Sequence, residues 1–444
     1  MRSRLMFSVT LGLFVLLVLG HGVSLAQEKT KIQLSVWGMP WEDDIYTKYA
    51  IPQFMEKYPN VEVEFLRFEN YWDILLTKHA AGAAPDVQRN LDERYGAMRL
   101  RGALLPLTEF IKKEGYSLDD FHEVALKALN KDGEIWGLPQ DLSPRTGLYY
   151  NMKAFDEAGL PYPTAEWTID DMFEAAKKLT IGQRPNVTRY GIAWLPQYGF
   201  IWAMLNFGGK IWDEQGRCII NSDACVEGAK FMQDIIYSGA APTYAEVTVE
   251  AVEDLFKAEK VAMFLGGGWF IPAVTRDVPD LKFGVAPAPR NREGKRITVL
   301  GQCIFEISSQ TKHPDIAWEF TKHLVSAEVL TDYWQRTWVA APSRLSLVKD
   351  PEVYNKIIGI PGHVPAITDP EEVERKLGWM RDIILNGEFT TEYTGDFFHS
   401  FYEVYLREAL DLLGGPTRMD PKPILDDVVQ RVNEEIERFY QGSK

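Results

Sequence analysis

The side chains that could do chemistry fall into no catalytic pattern. The 444-residue sequence has no Gly-x-Ser-x-Gly elbow, no P-loop and no Rossmann fingerprint. Gly266-Gly267-Gly268 follows an apolar run and precedes a helical stretch, where a helix N-terminus can cradle phosphate, but the Lys-Ser/Thr ending of a P-loop is missing. The triplet reads instead as a loop whose backbone approaches a ligand closely. Asp43-Asp44, Asp119-Asp120 and Glu371-Glu372 imitate the paired acids of a glycosidase, yet neighbouring carboxylates of this kind are ordinarily solvated charges at helix starts. The seven His form no HExxH and no Cys-x-x-Cys…His spacing, so neither a metal nor another cofactor is expected.

The aromatic residues point elsewhere. There are 13 Trp, 19 Tyr and 23 Phe, and the Trp share exceeds what a core requires. An indole face stacks on the apolar C–H face of a sugar ring while polar neighbours take its hydroxyls. Trp37 and Trp41 flank Gly38, Tyr71 and Trp72 follow a second apolar run, and Trp194 follows a later one. Trp202 stands at a helix start, Trp269 follows the triple Gly, and Trp338 precedes Ala340-Ala341-Pro342. Several of these positions are carboxyl ends of expected strands, where open α/β sheets hold their ligands. Any one indole is as readily core as platform; the recurrence at loop mouths favours ligand contact for the set.

The elements that would position them alternate. Ile32–Trp37 reads as a strand, a helix over about 44–57 stops at Tyr58-Pro59-Asn60, and Val61–Phe65 alternates as a second strand. Tyr71–Ala81 is helical again, closed by Gly82, and Pro85–Gln88 starts a third strand. Such alternation predicts a parallel sheet with helices on both faces. Gly147–Asn151, Tyr190–Trp194 and Val261–Leu265 are further strands, with a helix over Met152–Ala158. Another helix begins at Thr168, where Asp171 can complete a capping box. The last hundred residues are mostly helical: Glu371–Asn386, Gly395–Leu413 and Lys422–Tyr440. With no repeat and no low-complexity linker, the chain reads as lobes joined by several crossings.

Composition bounds the partners. The formal charge is −15 with 46% hydrophobic residues, a globular balance whose negative field repels nucleic acid and anionic lipid. Arg2 and Arg4, the apolar stretch Leu5–Leu19 and the small residues of Ser24-Leu25-Ala26 form an export signal, expected over residues 1–26. No Cys near Ala26 could take a lipid, so a soluble exported chain is expected, periplasmic or extracellular. Cys218 and Cys225 are near enough in sequence to bridge, while Cys303 sits in an apolar run and reads as a buried small hydrophobe.

Gly137-Leu138-Pro139-Gln140-Asp141, then Gly147-Leu148-Tyr149-Tyr150-Asn151-Met152-Lys153, Gly159-Leu160-Pro161 and Trp167-Thr168 together carry a family resemblance. Ala83-Ala84-Pro85-Asp86-Val87, Leu104-Leu105-Pro106-Leu107, Val261-Ala262-Met263 with Gly268-Trp269, and His313-Pro314-Asp315 with Ala317-Trp318-Glu319-Phe320 extend it in order. The set resembles the family 1 extracellular solute-binding proteins of ABC transporters, the sugar-binding group similar to maltose-binding protein. The resemblance implies an α/β, two-lobed periplasmic-binding-protein fold (type II), its lobes joined by three hinge crossings near Gln140–Arg145, Arg296–Gly301 and Arg336–Ala341. It implies one lobe from 27–141 and 300–336 and another from 142–299 and 337–444. A carbohydrate would be clamped between them and delivered to the membrane permease by a monomeric receptor with no catalysis. The ligand-binding residues it implies are Trp37, Trp41, Tyr71, Arg89, Asn90, Asp92, Gln140, Asp141, Trp194, Gln197, Trp202, Trp269, Gln302, Trp338 and Arg344. Arg89 and Arg344 read equally well as salt-bridge residues; acting together they would suit a carboxylate or phosphate. A sugar acid, sugar phosphate or peptide ligand therefore stays open, as does a secreted glycoside hydrolase built on Asp92 and Asp141.

Overall fold

The computed structural model describes residues 29–247, 249–390 and 395–442; the segment read as an export signal lies outside the described residues. Ile32, Leu34 and Val36 recur with period two and are buried, which makes their strand an inner one. In chain order the strands used here are β1 (Thr30–Val36), β2 (Val61–Arg67), β3 (Val87–Leu91), β4 (Leu138–Pro139), β5 (Asp141–Pro144), β6 (Gly147–Asn151), β7 (Tyr190–Trp194), β8 (Val261–Gly266), β9 (Phe283–Ala286), β10 (Ile297–Gly301), β11 (Cys303–Ile307), β12 (Ala341–Pro342) and β13 (Glu388–Thr390).

The first lobe is built on the sheet β2-β1-β3-β11-β4. β1 pairs in parallel with β2 (Leu34 opposite Phe65) and with β3 (Leu34 opposite Val87), as the alternation predicts. β11 returns antiparallel, placing Cys303 opposite Leu91. The second lobe carries the sheet β9-β6-β8-β7, in which β7 and β8 are parallel while β6 runs antiparallel to both β8 and β9. That mixture departs from the uniformly parallel expectation, because β6 enters straight from the first lobe instead of through a crossover helix. Thr168 does cap the helix Ile169–Leu179, with the reciprocal bond from Asp171. The C-terminal helices Pro370–Asn386 and Pro421–Gly442 match their expected places, while the helix expected over Gly395–Leu413 begins at Phe398 and runs through a π-helical stretch, Phe401–Leu406, before Arg407–Leu413. Among the described residues no helix is long and apolar enough to cross a membrane.

The three expected crossings meet in a third sheet, β12-β5-β10-β13. Leu142 lies opposite Ala341, and Pro144 opposite Leu300. The connecting strands lie side by side between one core holding Ile32, Leu34, Phe54 and Trp318 and another holding Trp194, Trp202, Met232 and Phe401, and their own Leu142, Leu300 and Ala341 belong to a further core that packs Ile45 and Trp334 together with Tyr149 and Phe264. Cys218 and Cys225 are not bridged; both are buried thiols, and burial pushes the Cys218 thiol up to about 12.

Candidate ligand-binding cleft

β1 runs out into Trp37-Gly38-Met39-Pro40-Trp41-Glu42. Met39 N–H donates to Glu42 Oε2 at 2.7 Å, which folds the Glu42 carboxylate inward and leaves Trp37 and Trp41 half-buried at the gap between lobes. Gly38 has φ 131°, and a Cβ there would stand 2.2 Å from Glu42 Oε2, so only glycine fits the turn. Across the gap, β8 ends in the triple Gly. A Cβ on Gly267 would overlap the Trp269 ring at 1.8 Å and one on Gly268 would press on Met380 Sδ at 2.6 Å. These glycines therefore make room for Trp269 and Met380 rather than for a ligand.

The gap is a cleft of about 720 Å³. The first lobe contributes Trp37, Trp41, Glu42, Arg89, Leu91, Gln302, Cys303 and Tyr333; the second contributes Leu195, Tyr198, Trp269, Pro272, Ala273 and Arg276; the bridge adds Asp141, Ser143, Arg145, Val339 and Ala340. Aromatic rings thus stand on both walls. Tyr198 and Trp269 pack edge to face with centroids 5.9 Å apart.

Arg89 is the hub of the first-lobe wall and is 2% exposed. Its Nε donates to Gln140 Oε1 at 2.7 Å, its Nη1 to Trp37 O at 2.8 Å and Glu42 Oε1 at 3.5 Å, and its Nη2 to Tyr333 Oη at 2.8 Å and Cys303 Sγ at 3.4 Å. A guanidinium has five N–H donors, and these five acceptors use them all. Asp141 Oδ2 balances the charge from 3.7 Å, while its Oδ1 accepts from Cys303 N–H at 2.8 Å. Burial pushes the Asp141 carboxyl up, opposed by Arg89. Tyr333 Oη in turn donates to Glu42 Oε1 at 3.2 Å. Both carboxylates that line the cleft are therefore tied to the one Arg89 guanidinium, and neither stands free as an acid opposite a base.

Arg145 links the walls. Its Nη2 lies 3.6 Å from Glu93 Oε2 and 4.0 Å from Asp92 Oδ1, and its guanidinium sits 5.3 Å from the Trp269 ring and 5.5 Å from the Tyr198 ring. Asp92 lies behind the lining, and burial raises its carboxyl to about 8. Gln302 donates Nε2 to Ala125 O at 3.0 Å, while its buried Oε1 has no hydrogen-bond partner among the described residues. No cluster of metal-ligating side chains occurs among the described residues.

Of the residues drawn from the sequence, Trp37, Trp41, Arg89, Asp141, Trp269 and Gln302 line the cleft. Gln140 stands one layer behind, accepting from Arg89 and donating to Tyr46 Oη at 3.0 Å. The others lie elsewhere, each for a local reason. β3 starts two residues later than expected, at Val87, so Arg89 and Asn90 are in the strand and point to opposite faces. Asn90 donates to Glu306 Oε2 at 2.8 Å, away from the cleft. Tyr71 is buried and donates to Arg89 O at 2.9 Å. Trp194 donates Nε1 to Tyr244 Oη at 3.1 Å, and Trp202 is fully buried in the second-lobe core. Gln197 turns inward at the start of the helix Pro196–Asn206, leaving the next residue, Tyr198, to face the cleft. Trp338 is fully buried and donates to Pro365 O at 3.2 Å. Arg344 pairs with Asp120 at 3.4 Å and donates to Tyr116 Oη and Val325 O, fixing Arg344–Ser346 to the first lobe. Glu42, Ser143, Arg145, Tyr198 and Tyr333 line the cleft without having been singled out. Four of them neighbour positions that were, or lie in the predicted crossing; Tyr333, inside the helix Ala327–Thr337, carries no local signal.

Residues 40–331 match the model of the bacterial extracellular solute-binding protein family. An arabinooligosaccharide-binding protein of Halalkalibacterium halodurans is 25% identical over 298 residues, 63% of this chain and 64% of that one. A binding protein of Brucella abortus is 26% identical over 282 residues, again 64% of its length, so the chain spans about two thirds of the curated relatives it matches. Among solved structures, an ABC substrate-binding protein of Listeria monocytogenes in complex with cycloalternan superposes with TM-score 0.76 at 22% identity, covering 92% of this chain and 99% of that one. A maltose-bound protein of T. maritima gives 0.70 at 20% identity, covering 91% and 99%. These superpositions establish the two-lobed type II binding-protein fold. With the family model covering most of the sequence, the chain belongs to the bacterial extracellular solute-binding proteins.

Proposed function

We propose that this protein is an exported receptor that captures a neutral carbohydrate, an oligosaccharide, between its lobes and delivers it to an ABC importer without chemical change. The observation that carries the reading is the cleft itself: half-buried aromatic rings on both walls, with the central guanidinium spent on protein acceptors. Stacked rings suit the C–H faces of sugars, and the residual donors and acceptors suit hydroxyls. The names of relatives that bind arabinooligosaccharides and multiple sugars support the same class. Lobe 1 comprises 27–141 and 300–336, lobe 2 comprises 142–299 and 337–444, with Arg344–Ser346 packed back on lobe 1. Closure bends the three-stranded crossing, and the closed monomer docks on the permease.

A thermal-shift screen of residues 27–444 against neutral oligosaccharides, uronic acids and sugar phosphates tests this. A ligand that binds only the folded state stabilises it by about 2.7 kcal/mol at a hundredfold excess over its Kd. The expected result is a shift with an unchanged neutral oligosaccharide, lost in Trp269→Ala. A shift confined to acidic sugars, or cleavage of the sugar during incubation, would overturn the reading.

A further inference from the structure

The lobes meet a second time beside the cleft, outside its lining, with Trp72 of this contact packed against cleft-lining Trp37 at 5.5 Å between ring centroids. The helix Tyr95–Leu100 of the first lobe faces 395–403 of the second. Arg99 Nη2 donates to Asp396 Oδ2 at 2.6 Å, with the two side chains 11% and 10% exposed. Arg94 reaches Glu403 Oε1 at 3.3 Å and His399 Nε2 at 3.4 Å. Between them the backbones nearly touch: a Cβ on Gly96 would stand 2.7 Å from Asp396 Cα and 2.8 Å from Gly395 O. Both arginines are set in place by their own lobe. Arg94 lies 4.5 Å over the Trp72 ring, and Arg99 lies 5.6 Å over the Trp136 ring and pairs with Asp132 at 3.1 Å. On the other side, Phe398 and Phe401 anchor the facing segment in the second-lobe core. Apart from Trp37, none of these residues lines the aromatic cleft.

We propose that this contact is a clasp that holds the lobes together through protein atoms alone and thereby sets ligand affinity from outside the cleft lining. The proposal rests on the lobe-closure part of the function above and adds a ligand-independent term to it. A receptor that binds tightly only when closed has an apparent Kd equal to the intrinsic value divided by the closed fraction. Loosening the clasp lowers that fraction without removing a ligand contact. The ion pair is mostly desolvated, so losing one partner leaves the other uncompensated and the clasp is sensitive to single changes.

The test compares wild type, Arg99→Gln and Gly96→Ala by small-angle scattering without sugar and then by titration with the sugar found in the screen. Gly96→Ala leaves every charge in place and favours the helix it sits in, since alanine is the better helix former, while its methyl cannot enter the contact. Both variants are expected to scatter with a larger radius of gyration than wild type, to contract when sugar saturates them, and to bind about tenfold more weakly if the closed fraction falls about tenfold. Scattering identical in all three proteins overturns the clasp. Because that arm uses no ligand, it is independent of whether the sugar assignment holds. Expanded variants that bind as tightly as wild type overturn the link to affinity.

Discussion

Replacing Arg89 separates a framework arginine from a ligand-gripping one. In Arg89→Ala five hydrogen bonds go, and the Glu42 and Asp141 carboxylates, 8% and 2% exposed in their side chains, lose their countercharge. Removing one member of a buried ion pair costs about 3–5 kcal/mol, mostly as the penalty of the charge left behind. Arg89→Lys keeps the charge but has three donors in place of five, so it should lose roughly half as much. The deficit should also depend on pH. Burial already holds the Asp141 carboxyl above its ordinary value against the pull of Arg89, so without Arg89 it rises further. A carboxyl raised in the folded state favours folding where it is protonated, so the gap between variant and wild type should narrow as pH falls and be widest above neutrality. Urea unfolding followed by tryptophan fluorescence at pH 5 and pH 8 measures this. A stability loss below about 1 kcal/mol at both pH values, accompanied by loss of ligand binding, would refute the framework role and return Arg89 to the ligand.

Other expectations follow from the same geometry. Trp269→Ala should leave the melting midpoint close to wild type but weaken sugar binding at least about tenfold by calorimetry, since an aromatic platform contributes on the order of 1.4 kcal/mol or more. Trp338→Ala should do the reverse, costing about 3–5 kcal/mol of stability as a fully buried indole while leaving affinity near wild type in whatever fraction folds. Glu306, buried between Gln88 and Asn90, has its carboxyl raised from 4.5 to about 8. The folded state therefore holds a proton that the unfolded chain has released, and stability falls as pH rises from about 4.5 to about 8. Glu306→Gln should make that stretch of the melting profile shallower, with Asp92, raised to about 8 by its own burial, keeping the remaining slope, and a profile parallel to wild type would contradict it.

Much of this arrangement was legible because the chain alternates so regularly. β1, β2, the helix Tyr71–Ala80, β6 and β7 lie within a residue or two of where their periodicity puts them. β3 follows no local pattern. Gln88-Arg89-Asn90 is too polar to read as an inner strand, and it is one only because Glu306, Glu42, Asp141 and Tyr333, all distant in sequence, satisfy it. No local pattern carries such partners. The tryptophans were ambiguous for a related reason: a loop-mouth indole can turn to the ligand, as Trp269 does, or back into the core with its N–H satisfied, as Trp194 and Trp338 do. Tyr198 was missed by one residue, the difference between facing into a helix start and facing off it.

In the proposed receptor, rings on both lobes hold an uncharged sugar while Arg89 holds the wall. The most direct measurement is a crystal structure of residues 27–444 with the oligosaccharide that gives the largest thermal shift. The expected result is a sugar ring stacked on Trp269 in the cleft that Trp37, Trp41 and Tyr198 also line, with no ligand atom within hydrogen-bond distance of Arg89. A ligand seated outside that cleft, or an acidic group gripped by Arg89, would contradict it.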